Sequence, residues 1–367
     1  MDLGGRPLFT PRGSDYKLAH KADRSCVFLG ADGLCRIHAK YGSEAKPLAC
    51  RMYPFRLIPL GSQVRVDLRF DCPIVSANKG RPIAEHAADL RKLLKVASAN
   101  SDRQLAAPPL FGRVAMTWPQ LVAITAAFER VLWDVSLDLT RRVTACINMS
   151  ALLRDARIAE LSGNKLDEFL DEVASNVQQT AIGDALPRTQ PHRIERAVFR
   201  QMITIHARYD QVGVREPMLK RMATTLGMLA GRGTVPELRE GFPRVEFAAT
   251  ERSMGTPSGD AAAAIERYLH VHLTGMGFFG AAFYQRSYLD GLNALLLTYP
   301  MICWIARAFA AGDSLSAPDV SCIERSLMIV DHQHGVTPTM NMPVTRSRSD
   351  LLHDRAILRR LVIWYGS

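Results

Sequence analysis

Cys26, Cys35, Cys50 and Cys72 put four of the chain's seven cysteines in its first 72 residues, with His38 among them. At the density of the other three, that stretch should hold about one. Thiolates and an imidazole gathered so closely are what a zinc ion or an iron centre needs. The spacing is Cys26-x8-Cys35-x2-His38-x11-Cys50-x21-Cys72. Zinc takes four tetrahedral N/S ligands, and five candidates are present; an iron–sulfur cluster takes four thiolates, and four are present. Spacing leaves both open, since it is neither the paired C-x2-C of a zinc ribbon nor a ferredoxin run. Cys35 and His38 stand three apart, so a turn or a first helical turn lets both reach one ion. The competing reading, that each cysteine is a small buried hydrophobe, suits any one of them better than the set.

Local turns must do the gathering. Ala31-Asp32-Gly33 is a turn sequence that folds Cys26 back towards Cys35. Arg56–Leu60 and Gln63–Phe70 flank Gly61-Ser62, and Val64, Val66, Leu68 and Phe70 alternate with Arg65, Asp67 and Arg69. That period of two predicts a half-buried strand in a hairpin, which would carry Cys72 back towards Cys50. Arg51 and Tyr53 are placed to donate hydrogen bonds to the Cys50 sulfur, the alternative being that Tyr53 and Phe55 are core aromatics, and Arg51, Arg56, Arg65 and Arg69 are placed to balance the thiolate charge.

From about Ile83 onward the pattern is helical. Helices are expected near 83–97, 118–134, 136–160, 165–181, 191–209, 216–231, 259–278, 287–311, 318–334 and 350–365. Asn164 and Ser349 are the expected caps of two of them. The apolar run around 292–306 contains Pro300, which predicts a buried helix broken there and too short for a bilayer span. The fold expected is mainly α: a small N-terminal α+β cysteine-rich metal module over 1–82, a connecting helix and Pro-rich linker over 83–113, and a larger all-α domain over 114–367.

Other constellations weigh less. Asp331-His332-Gln333-His334-Gly335 joins two histidines and a carboxylate, which admits a second metal or acid–base site. Yet Gly335 suits the position after a helix C-terminus, where histidines meet a favourable dipole. The structural role is therefore expected there. His270 and His272 lie two apart on a helix and point to different faces. Cys146, Cys303 and Cys322 sit in apolar helical stretches and read as core. No Walker A, G-x-S-x-G or H-E-x-x-H motif is present, and no S-adenosylmethionine loop stands out.

The net charge is +10, and residues 1–82 alone hold fourteen Lys/Arg against seven Asp/Glu. No basic block with interleaved aromatics accompanies it, so a solvated surface is expected and nucleic acid is not an expected partner. No secretory signal precedes the cysteines, which predicts a reducing, cytoplasmic setting and metal ligation over disulfides.

The strings Cys26-Val27-Phe28-Leu29, Asp32-Gly33-Leu34-Cys35 and Cys50-Arg51-Met52-Tyr53-Pro54, with Phe70-Asp71-Cys72-Pro73, resemble the YkgJ-type cysteine-cluster family. That family is described as a zinc- or iron-chelating domain, related to the flagellin lysine-N-methylase proteins. The segments 277–299 and 330–335 are similar, more loosely, to the helical tail of longer members. The resemblance implies a zinc or iron site held by Cys26, Cys35, His38, Cys50 and Cys72, in a protein of otherwise unassigned role. The alternatives it implies are a lysine N-methyltransferase with a peptide substrate or protein partner, and an iron–sulfur redox or sensor module. Family members usually carry a further cysteine group upstream, and residues 1–25 have none. The expectation is thus one four-ligand ion or one cluster, with either a late start or a partly lost site.

Overall fold

Residues 8–12, 15–21, 25–98, 105–183, 185–208 and 218–367 are described by the structure, a computed structural model. In chain order come β1 (Phe9–Arg12), β2 (Asp15–Leu18), α1 (Arg36–Tyr41), α2 (Leu48–Met52), β3 (Phe55–Leu60), β4 (Gln63–Leu68), α3 (Pro73–Ser76) and α4 (Ala87–Ser98). Then follow α5 (Trp118–Leu132), α6 (Leu139–Asp155), α7 (Asn164–Gly183), α8 (Arg193–Ala207), α9 (Met218–Ala230), α10 (Phe247–Glu251) and α11 (Gly259–Gly275). The last four are α12 (Tyr288–Gly312), α13 (Val320–Gln333), α14 (Pro343–Leu352) and α15 (Arg355–Gly366). The chain is mainly α, as the sequence led us to expect, and among the described residues the strands form two antiparallel hairpins.

Two compact units emerge, cut at places other than residue 82. One comprises 1–53 with 82–102; the other comprises 54–81 with 103–367. The β3–β4 hairpin therefore groups with the helical body.

Within the first unit, β1 and β2 pair from Phe9↔Leu18 to Arg12↔Asp15, and isolated bridges join His20 to Cys26 and Leu29 to Cys35. The predicted turn closes through Gly30 N–H to Leu34 O at 2.8 Å and Leu34 N–H to Asp32 Oδ1 at 3.0 Å. Gly33 sits there at φ +76°, where a side chain would be strained.

In the second unit, β3 and β4 pair from Phe55↔Leu68 to Leu60↔Gln63 around Gly61-Ser62, as predicted. Gly61 has φ +62°, and a Cβ there would lie 2.9 Å from the Trp118 ring. The facing of β4 departs from expectation: Asp67 is fully buried, while Val64 is exposed. A buried carboxylate is costly alone. Here it is held by Arg56 and His272, so this one polar position of the strand is buried along with Phe70 beyond its end.

The helices match their predicted windows with three corrections. Asn164 is the first residue of α7 rather than a cap outside it. The last expected helix is two, α14 and α15, with Ser349 inside the first; Asp354 caps the second, accepting from the Ala356 and Ile357 amides. Finally, α12 runs unbroken through Pro300. Proline forfeits one backbone bond. Surrounding helices bury α12 on nearly every side, so packing outweighs that loss. α12 is long and apolar enough to span a bilayer, but 94% of its apolar window lies buried inside the fold, as in a core helix. Buried Arg307 on α12 donates to the carbonyls of Tyr365 at 2.9 Å and Ser367 at 2.7 Å, satisfying the end of α15.

Gly291 shows how tight this core is, since a Cβ there would stand 2.0 Å from the Phe278 carbonyl oxygen. Glycine to alanine in a helix interior ordinarily gains about 0.5–1 kcal/mol. At this position the sign should reverse: Gly291→Ala is expected to cost about 2 kcal/mol through overpacking, measured as a lower urea midpoint.

Candidate metal centre

Three of the four N-terminal thiols line one cavity in the first unit. Cys26, Cys35 and Cys50 face a space of about 210 Å³, walled by Leu18, Phe28, Leu29, Ile37 and Pro47, with Lys46 at the same cavity. Each thiol arrives by a separate local device. Cys26 is set by its bridge to His20. Cys35 bridges Leu29 and caps the N-terminus of α1. Cys50 sits inside the short α2, begun by Pro47, whose carbonyl accepts from the Cys50 amide at 2.9 Å. All four N-terminal cysteines are half-buried and free.

Burial and the neighbouring Cys26 push the Cys50 thiol up; Lys46 pulls it down, and Cys35 adds a further upward push. Cys50 is thus near enough to Cys26 and Cys35 to sense their charge. Among the described residues, however, no group of three or more His, Cys, Asp or Glu side chains stands in ligating position. The cavity gathers the thiols without presenting a finished ligand shell.

The remaining expected ligands lie elsewhere. Cys72 belongs to the second unit and caps α3. His38 is exposed on α1. Arg51, the expected donor to the Cys50 sulfur, instead pairs with Glu44 at 2.5 Å, and Tyr53 is largely exposed. Arg56 and Arg69 are likewise taken up by carboxylates, and the basic group at the cavity is Lys46. Hydrogen bonds to a nearby carboxylate satisfy a guanidinium better than a soft sulfur does.

A second polar cluster, which sequence reasoning missed as a unit, lies in the body of the second unit. His272 on α11 is held between two buried carboxylates: Nδ1 is 2.9 Å from Asp67 Oδ1, and Nε2 is 3.0 Å from Asp331 Oδ1. The second oxygen of Asp67 takes Arg56 at 3.2 Å. The second oxygen of Asp331 takes Arg69 Nε at 3.4 Å and the Asp71 amide at 3.1 Å. Asp71 in turn meets Arg69 at 2.7 Å and His332 Nδ1 at 3.1 Å. Three cations (Arg56, Arg69 and protonated His272) therefore face three carboxylates (Asp67, Asp71 and Asp331). Burial opposes charge on His272, but Asp67 and Asp331 outweigh it and raise its pKa to about 9. Burial would raise Asp331, but the His272 bond and charge, with Arg69, lower it to about 2.

Gly275 and Gly277 make this approach sterically allowed, because a Cβ on either would fall within 2.7 Å of the Asp67 side chain. His270, two residues before His272, points elsewhere and packs on the Trp133 ring with centroids 4.2 Å apart. The 331–335 run does not converge on one ion either. His334 turns away from Asp331's partners and lies buried against Phe283 and His206, both its ring nitrogens without a hydrogen-bond partner among the described residues. Burial first, then the neighbouring His206 and His272, hold it well below the usual histidine range, so it is neutral. Gly335 follows the end of α13 at φ +73°, as its position in the sequence predicted. Cys146, Cys303 and Cys322 are buried as expected, and burial pushes the first two thiols up to about 12. No local signal marked Asp67 as buried, since it shares the polar side of its strand with Arg65 and Arg69.

Comparison with known proteins finds no matching family model and no matching solved structure. The chain is similar to an uncharacterized protein of Methanocaldococcus jannaschii, at 26% identity over 165 residues. That stretch is 43% of this chain and 54% of the relative, so the chain spans about half the length of the curated relative it matches.

Proposed function

We propose that the first unit is a metal-binding module in which Cys26, Cys35 and Cys50 hold a zinc ion or an iron centre. The observation that carries this reading is that three thiols from separate turns and helices line a single small cavity. The donor set suits a thiophilic cation. Bound, such an ion supplies either a structural cross-link or, as an iron–sulfur cluster, a one-electron couple. The chain's own part is to bring the sulfurs together and to hold Lys46 beside them, where its charge favours the thiolate form of Cys50. The apolar wall of Leu18, Phe28, Leu29 and Ile37 limits water at the sulfurs. Because no ligand shell stands ready, the side chains must rotate onto the ion as it binds.

Metal analysis of the full chain purified without oxygen tests the reading. About one zinc per chain, colourless, or iron with acid-labile sulfide and a brown colour, is the expected result. Metal-free protein that also fails to take up zinc or iron when supplied under reducing conditions would refute it. His38→Gln, measured alongside, tests whether the histidine of α1 adds a ligand to the three thiols.

A further inference from the structure

Four arginines line a cavity in the second unit that has no role in the cysteine site. Arg193, Arg196 and Arg200 from α8, with Arg232 just after α9, surround a space of about 530 Å³. Its apolar lining is Ile194, Ala197, Leu229 and Ala230. The positions 193, 196 and 200 recur at helical spacing, so one face of α8 presents all three.

Two of these arginines are fixed by the fold. Arg200 is buried and donates to the Met228 carbonyl at 2.7 Å and the Leu229 carbonyl at 3.0 Å, closing the end of α9. Gly231 is needed for that placement: it sits at φ +60°, and a Cβ there would come within 2.4 Å of the Arg200 guanidinium. Arg196 and Arg200 share one carboxylate, Glu251, at 3.7 and 3.6 Å, which also accepts from Trp364 Nε1 at 3.1 Å and from the Tyr365 hydroxyl. Arg196 Nε is buried with no hydrogen-bond partner among the described residues. Arg193 and Arg232 are exposed and have no ion-pair partner among the described residues. Against four guanidinium groups there is thus one shared carboxylate, which leaves the cavity strongly positive.

We infer that this cavity binds the phosphate group of a phosphate-bearing ligand, with Arg193 and Arg232 as its mobile clamps and Arg196 as a fixed donor. Planar forks converging from several directions match the several oxygens of a phosphate, whereas a single carboxylate engages one or two of them. The volume accommodates a ligand up to nucleotide size. A concave site without aromatic lining does not suit a nucleic-acid strand, which needs a groove and stacking platforms. Two sources present that group, a soluble phosphate and a lipid headgroup, and Ile194 and Leu229, both exposed at the cavity, suit either.

Calorimetric titration of the full chain with pyrophosphate and with ATP at low salt tests the soluble source. Sedimentation with phosphatidylcholine vesicles, with and without phosphatidic acid, tests the lipid source. Binding in one arm that weakens at least about tenfold in the double variant Arg193→Ser/Arg232→Ser, at unchanged melting temperature, is the expected result. These two side chains hold no element of the fold, so the variant reports on binding rather than folding. No binding in either arm, equal binding by the double variant, or single-stranded RNA binding more tightly through the same two arginines would each overturn the inference.

Discussion

Asp331→Ala is expected to destabilise the second unit by about 3–5 kcal/mol, because it strips a buried imidazolium of one of its two counter-ions. His272 would be left paired to Asp67 alone, Arg69 Nε would lose its carboxylate, and the Asp71 amide its acceptor. Each is a charged or polar group left without compensation in a dry environment. Chemical unfolding of the full chain reads the loss, and Asp331→Asn separates charge from shape. The asparagine keeps the volume and an acceptor for His272, so a loss as large as alanine's would place the effect in the charge. An Asp331→Ala variant as stable as the parent would show that the cluster contributes no net stability.

The same cluster sets a pH signature. His272 has its folded pKa raised from 6.5 to about 9, so its stabilisation is complete below pH 6.5 and is lost as pH rises through about 9. Asp331 has its folded pKa lowered from 3.8 to about 2, so its contribution is present above pH 3.8 and is lost as pH falls through about 2. Between pH 3.8 and pH 6.5 both contribute fully. The parent should therefore lose stability towards alkaline pH with a component that His272→Gln removes, and a parallel fall in both proteins would rule out His272 as its source.

Cys35→Ala is expected to take the bound metal from about one per chain to none, and to make the first unit protease-sensitive while the second stays resistant. The unit it serves is small: two short strands, α1, α2 and α4. So little chain buries too little apolar surface to be stable by packing alone, and a metal cross-link is the usual remedy. Limited proteolysis followed by mass spectrometry of the fragments, together with metal content, gives the readout. Full metal content in the variant would remove Cys35 from the ligand set. Loss of metal with unchanged protease resistance would show that the parent binds the ion at that site without a structural role for it.

What the sequence determined by itself is local. The turn at Ala31-Asp32-Gly33, the two-residue hairpin at Gly61-Ser62, the helical windows and the core cysteines all follow from residues a few positions apart. Periodicity and turn chemistry act at that range, so they could be read directly. The gathering of Cys26, Cys35 and Cys50 was legible for the same reason, because short turns and one-turn helices connect them. Pro300 misled because a proline's local cost is fixed while the burial that overrides it depends on neighbours far along the chain.

Tertiary structure alone decided the partners of the charges. Arg56 and Arg69 were expected to balance thiolate charge and Asp67 to lie on the polar side of its strand, yet Asp71 meets Asp331 from 260 positions away and Asp67 receives His272 from a distant helix. Nothing in either local sequence encodes that meeting. It exists because α11 packs against β4 and α13 against α3, and glycines at 275 and 277 let the backbone come close enough for carboxylate and imidazole to pair. A buried charge is tolerable only where its counter-charge arrives, and that arrival is a property of the fold.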